Sequence, residues 1–235
     1  MKRVLPLTIA LSFALHAGCQ TEPVDTGDNP MIRTLSAAID NSPLDICVNG
    51  FRSIEDIDTG GRTGHGEADR QSFEMATGPT GTSCDDATPV SGLENINLNP
   101  NRFSTVVILP DGVSAIQLTD DNTLLSAGQA EIRVINMCED CGAVSVTNQN
   151  DNEIFTDVAF NTPADFAYRG IAAGTYDFIV TSPADENRGR IIESFEIEEG
   201  TTYTIFVTGR VDSAGAEFRA NVFEDLQVGI VITVG

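Results

Sequence analysis

"AAGTYDFIV", residues 172–180, is the stretch whose reading decides the fold. Gly174 ends a turn, and Tyr176, Phe178 and Val180 then share one face, because successive side chains of a strand point to opposite sides. "EEGTTYTIFVTG" (198–209) repeats the device, with Tyr203, Ile205 and Val207 aligned after Gly200. Two such faces, from sheets about 10 Å apart, form the core of a sandwich. Working outward, "VSVTNQ" (144–149), "SFEIEE" (194–199) and "EFRANVFED" (217–225) alternate or form short β-branched runs, with Gly, Asn and Asp between them. The spacing predicts an all-β, antiparallel sandwich architecture. One competing element is a short helix in "DNTLLSAGQAE" (121–131), read here as the connection between two domains.

The chain repeats itself. "IRTLSAAIDNSPLDICVNG" from Ile32 overlays "IRVINMCEDCGAVSVTNQN" from Ile132 without a gap, placing Arg33 on Arg133, Leu44 on Val144 and Ile46 on Val146. "RFSTVVILPDG" from Arg102 overlays "TYTIFVTGRVD" from Thr202, placing Phe103 on Tyr203 and Val106 on Phe206. Two tandem domains follow, 31–125 and 128–235, each large enough to bury its own core.

The second copy carries a family pattern. Arg133 to Asn136 form an opening strand, Val144 to Val146 alternate, and Val158 to Phe160, Ala173 to Val180 and Gly200 to Gly209 supply three further motifs. In these it resembles the DUF4397 domain of bacterial exported proteins. The first copy keeps the opening and "FSTVVILPDG" (103–112 within its strand and turn) but diverges between them. There "GTSCD" (81–85) stands for "GTYDF", and residues 60–70 form a Gly-rich insert. The resemblance implies immunoglobulin-like or transthyretin-like β-sandwiches and brings no established activity.

Lys2 and Arg3, the apolar stretch from Val4 to Leu15 and the small residues Ala17 and Gly18 make an export signal over residues 1–18. The apolar run is too short for a spanning helix, which needs about 20 residues. "AGC" resembles a bacterial lipobox, although His16 stands where Leu is usual, and implies lipidation of Cys19. Residues 19–30, with Pro23, Gly27 and Pro30, read as a flexible tether. The expected location is the bacterial cell envelope, lipid-anchored, with Gln20 after the cysteine leaning toward the outer membrane; a secreted or periplasmic protein is the alternative. The net charge of −22 repels phosphate backbones and excludes nucleic acid as a partner. Lys2 is the sole lysine, so a mature chain has no Schiff-base or Lys–Asn isopeptide chemistry.

Five cysteines less a lipidated Cys19 leave an even number in an oxidising compartment, which favours disulfides. Cys138 and Cys141 are placed to pair locally, leaving Cys47 for Cys84, and the repeat overlay supports the second bond. A redox C-x-x-C would sit at a helix N-terminus, whereas a strand follows here. A zinc site needs two more ligands. His65, in "TGGRTGHGEADR" (59–70), is a possible base beside Arg62 or Glu67, but its glycines favour an exposed flexible loop. "LTDDN" (118–122), "NQNDNE" (148–153) and "SPADENRGR" (182–190) are oxygen-rich turns that calcium would accept, without an EF-hand spacing. In the last, Arg188 and Arg190 read as surface ion-pair residues. With no Trp, and Tyr176 and Tyr203 committed to the core, stacking of sugars is disfavoured. No catalytic residue, metal or cofactor is assigned. The expected function is non-catalytic display of loops to an envelope or extracellular protein or glycan; a hydrolase, for example a glycosidase using paired loop carboxylates, is the alternative.

Overall fold

The computed structural model describes residues 29–231 except 41, 69–72, 94–95, 97, 99, 101, 122, 186–188, 213–216 and 228–229. The signal, Cys19, most of the tether and Arg188 therefore lie outside the described residues.

The first half contributes β1 (Met31–Ser36), β2 (Leu44–Val48), β3 (Phe51–Ile57), β4 (Gly66–Glu67), β5 (Met75–Pro79), β6 (Thr88–Pro89), β7 (Phe103–Ile108) and β8 (Ala115–Asp120). After the short β9 (Leu125–Ser126), the second half contributes β10 (Gln129–Asn136), β11 (Val144–Asn148), β12 (Glu153–Val158), β13 (Arg169–Ala172), β14 (Gly174–Thr181), β15 (Arg190–Ile197), β16 (Thr201–Thr208), β17 (Arg219–Gln227) and β18 (Ile230–Val231). The sheets run β4-β1-β7-β8 and β3-β2-β5-β6 in the first sandwich, and β13-β10-β16-β17 and β12-β11-β14-β15 in the second. The strand order is the same in both. The architecture is all-β, as the alternating runs predict. Most pairings are antiparallel, but each sandwich holds one parallel pair, β1 with β7 and β10 with β16.

Two local readings change. The described residues of 121–131 are not helical: β9 pairs in parallel with β18, and β10 has begun by Gln129. The second overlay slips by one residue. Arg33 lies opposite Thr105 and Arg133 opposite Thr204, so Phe103 corresponds to Thr202, and Val106 to Ile205. Connections of unequal length destroy a constant offset, and a slip of one residue sends every side chain to the other face.

The corrected register explains why β7 and β16 are buried at every position. On one face, Tyr203, Ile205 and Val207 enter the second sandwich's own core, as the alternation predicts. The first sandwich has its equivalent in Ile32, Ile46, Val106 and Ile108. The other face is covered too. Leu35, Ala37, Val107 and Leu118 of the first sandwich join the same apolar cluster as Ile135, Met137 and Phe206 of the second. The sheets β4-β1-β7-β8 and β13-β10-β16-β17 therefore pack on each other, giving four layers. Strands covered on both sides need near-continuous apolar or Thr-rich runs, and "STVVI" and "TIFVT" are such runs.

The Gly-rich insert belongs to this joint. Gly60 N–H donates to Ser36 O at 2.7 Å, and Thr63 N–H to Thr34 O at 2.9 Å, so the segment follows β1. Arg62 Nη1 donates to Glu224 O at 2.7 Å and its guanidinium lies 4.9 Å from the Phe223 ring centre. Gly60 has φ +78°, and a Cβ there would stand 2.8 Å from Asn221 Nδ2 across the joint. The positive φ, which residues with a Cβ rarely adopt, is what favours glycine there.

Candidate functional site: a buried charged joint

Four charged side chains meet between the sandwiches. Arg33 on β1, Arg133 on β10, Asp120 at the end of β8 and Asp225 on β17 are each no more than 8% exposed. The arrangement is crossed. Arg33 Nε donates to Thr105 of its own sandwich at 2.8 Å, while its Nη2 reaches Asp225 Oδ1 of the other at 2.6 Å. Arg133 Nε donates to Thr204 of its own sandwich at 2.9 Å, while its Nη2 reaches Asp120 Oδ1 of the other at 2.5 Å. Each threonine is also a donor: the Thr105 hydroxyl is 2.8 Å from both Asp120 oxygens, and the Thr204 hydroxyl is 2.5 Å from Asp225 Oδ2. The Arg33–Asp225 contact is an ion pair without an aligned hydrogen bond, since Asp225 Oδ1 has no hydrogen-bond partner.

Two outer groups complete the site, and strand register makes them equivalents. Ile32 lies opposite Gly66 and Ile132 opposite Arg169, so the preceding residues, His65 and Tyr168, correspond. His65 Nε2 is 3.2 Å from Asp120 Oδ2, with the ring edge-on to Phe103 at 5.1 Å. Tyr168 donates its hydroxyl to Asp225 Oδ2 at 2.7 Å and lays its ring 4.4 Å under the Arg133 guanidinium. His65 is thus not on an exposed flexible loop; its side chain is 11% exposed and docked on a carboxylate. Neither Arg62 nor Glu67 partners it: Arg62 goes to Glu224, and Glu67 accepts from Asn29 Nδ2 at 3.0 Å.

Burial alone would push the Asp120 carboxyl up, but Arg133, the His65 contact and Arg33 outweigh it and hold Asp120 well below the usual carboxylate range. Burial disfavours the Arg133 cation, yet Asp120, then Tyr168 and Asp225, push it above its ordinary value. Burial, with the charges of Asp225 and Asp120, raises Tyr168 well above an ordinary phenol despite Arg133, so it stays a donor. Two arginines against two aspartates leave the joint neutral. Close opposite partners offset much of the cost of taking these charges out of water, with Asp225 Oδ1 the one carboxylate oxygen of the four held by charge without a hydrogen bond.

A depressed carboxyl makes stability depend on pH in a set direction. The Asp120 contribution is complete above its unfolded value of about 3.9 and is lost as pH falls from there toward the lower folded-state value. Urea unfolding from pH 6 down to pH 2 should show a steeper acid loss in the wild type than in Asp120→Asn. Parallel acid limbs would contradict the assignment. Tyr168→Phe keeps the ring under Arg133 but removes a hydrogen bond to a buried carboxylate, and should cost about 2 kcal/mol in the same assay.

The cysteines are stapled within each sandwich. Cys47 is bonded to Cys84 with Cα atoms 5.7 Å apart, and Cys138 to Cys141 with Cα atoms 5.4 Å apart. Asp140 lies close to Cys138 and Cys141, but those sulfurs are in a disulfide, and Asp140 Oδ1 accepts from Val211 N–H at 2.8 Å. Of the oxygen-rich turns, "LTDDN" delivers Asp120 to the joint, while Asn148 Oδ1 accepts from Asn150 and Asn152 N–H at 2.9 and 3.1 Å. Arg190 pairs with Asp185 at 3.8 Å and donates to Phe218 O at 2.6 Å. Tyr203 is buried; Tyr176 is half-buried, with its hydroxyl donating to Ala172 O at 2.9 Å. The joint itself was not foreseen. Its available signal was the duplicated arginine in an apolar strand, Arg33 and Arg133, each opposite a threonine.

None of the curated proteins matches the chain. Among solved structures, the Bacillus anthracis TIE protein is similar at 10% identity and a TM-score of 0.24, over 78% of this chain and 34% of that one, so this chain spans about a third of its length. A "putative cell adhesion protein" from Bacteroides eggerthii is similar at 8% identity and a TM-score of 0.19, over 87% of this chain and 97% of that one. At such scores neither likeness carries an argument. The family model falls elsewhere than the motifs suggested: it covers the first sandwich and continues through β10 into β11, although the second copy displays the motifs more fully. It matches residues 30–147, half of the sequence and including both Arg33 and Arg133, and the chain belongs to the family described as Domain of unknown function (DUF4397).

Proposed function

We propose that the protein is an exported, lipid-anchored cell-envelope module without catalytic activity, built of two DUF4397 sandwiches in tandem and presenting their loops to a protein or glycan. The observation that carries this reading is the crossed joint. Its paired arginines and aspartates fix the relative orientation of the sandwiches, as a display scaffold requires. The same pairing opposes a hydrolase centred on these groups. Asp120 and Asp225 are buried against guanidinium groups, and a general base needs access to substrate. The lipobox-like "AGC" ending at Cys19 and the polar residues behind it support an anchor on a tether.

Fractionation of cells carrying the wild-type chain and Cys19→Ser tests the anchor. The wild type should sediment with membranes and yield a lipid-modified N-terminal peptide by mass spectrometry, and Cys19→Ser should be released. A Cys19→Ser protein that stays with the membrane would overturn the anchor. Turnover of a panel of glycosides and esters by the purified protein would overturn the non-catalytic reading.

A further inference from the structure

Apart from the joint, the first sandwich has a cleft of about 450 Å³ at the end formed by β4 and the β2–β3 hairpin, with Ile32, Val48, Ile54, Phe73 and Met75 among its walls. Sites for small ligands occupy about 300–1,000 Å³ and are mostly apolar with a few polar groups. Register shows how the cleft arises. Ile54 opposes Ile46 as Phe155 opposes Val146, Met75 opposes Val48 as Phe178 opposes Asn148, and Gly66 corresponds to Arg169. In the second sandwich Phe155 and Phe178 are fully buried, and the Arg169 guanidinium lies 4.7 Å from the Phe155 ring centre. The first sandwich has Ile, Met and Gly at those three positions. The frame is the same, and the space is opened by smaller side chains.

The mouth has two features that point to an occupant. Phe51 pairs with Val48, so it lies on the cleft-facing side of β3, yet it is 76% exposed. It stands beside Val48 and Ser53 of the lining, just outside the mouth, where a ligand seated in the cleft could cover it. Among the described residues lining the cleft Glu67 is the charged one, and it stands at the exposed rim of a chain with a net charge of −22. We infer that the cleft binds a small amphipathic cation, with its apolar body against Ile54, Phe73 and Met75, Phe51 folding over it, and its amine beside Glu67. Met75 suits such a wall because its unbranched thioether adapts to different shapes. A carboxylate-bearing ligand of the same length would meet Glu67 and the surrounding negative field, and be rejected.

The test uses the full chain labelled at methionine methyls, titrated separately with octylamine, octanol and octanoate below their aggregation limits. Octylamine should shift the Met75 methyl resonance saturably and bind at least fivefold tighter than octanol, with no saturable binding of octanoate. Glu67→Gln should bring octylamine and octanol to equal affinity. Ile54→Phe and Gly66→Leu, which restore bulk found in the second sandwich, should each abolish the shift without lowering Tm; a Cβ at Gly66 meets nothing within 4 Å. Equal binding of the three probes, or a shift that survives both filling variants, would overturn the site. So would concentration-dependent dimerisation lost in Phe51→Ser, which would make a second copy the occupant.

Discussion

Arg133→Ala will destabilise the protein by about 3–5 kcal/mol, the loss expected when one partner of a buried ion pair is removed and the other stays behind uncompensated. The abandoned group is Asp120, fully buried, with Arg133 at 2.5 Å in the wild type. Its remaining partners, Thr105 and His65, leave the carboxylate without the cation that dominates its stabilisation. Arg133→Lys should recover only part of the loss. Arg133 uses Nε toward Thr204 and Nη2 toward Asp120 at once, and a single ammonium cannot reproduce that fork. Replacing all four charged residues with Met or Leu together should be far milder than Arg133→Ala, because no charge is stranded. Chemical denaturation of these variants at neutral pH measures all three. A loss below about 1 kcal/mol for Arg133→Ala would mean the joint is not a clasp.

Removing the Cys47–Cys84 disulfide by a double Cys→Ala change should cost about 4 kcal/mol, by the loop-closure relation applied to its separation of 37 residues. The corresponding change at Cys138 and Cys141, three residues apart, should cost about 2 kcal/mol. The ordering matters more than the values, since both pairs staple their own sandwich and neither crosses the joint. Unfolding curves of the two double variants, compared with the wild type under non-reducing conditions, give the ranking directly. A larger loss at Cys138–Cys141 would show that chain entropy is not the main source of stabilisation.

The strand faces were legible because burial on a pleat has period two. Tyr203, Ile205 and Val207 needed only that rule, and so did the choice of an all-β sandwich. The covered outer faces were harder to read. Thr202, Thr204 and Phe206 were signs of a second covered face, but threonine is equally common on a solvated one. Arg33 and Arg133 were visible as a repeat, yet a lone arginine in a strand ordinarily marks the solvent side. Their partners lie in the other sandwich, which a strand pattern does not reveal: Arg33 reaches Asp225 near the far end of the chain, while Arg133 takes Asp120 from the last strand before the connection. The one-residue slip between Phe103 and Thr202 hid the matching threonines from a fixed-offset overlay. His65 misled for a similar reason. Its glycine neighbours suggest freedom when taken alone, but the segment is held along β1 and one of its glycines, Gly60, accepts a hydrogen bond from Asn221 of the opposite sandwich.

The most direct test of the crossed joint is a double-mutant cycle on Arg133 and Asp120, using Arg133→Met, Asp120→Leu and the pair together, measured by urea unfolding at pH 7. The joint predicts a coupling energy of at least about 2 kcal/mol, with the double variant more stable than the sum of the single losses allows. Coupling within about 0.5 kcal/mol of zero, the value for independent sites, would contradict it.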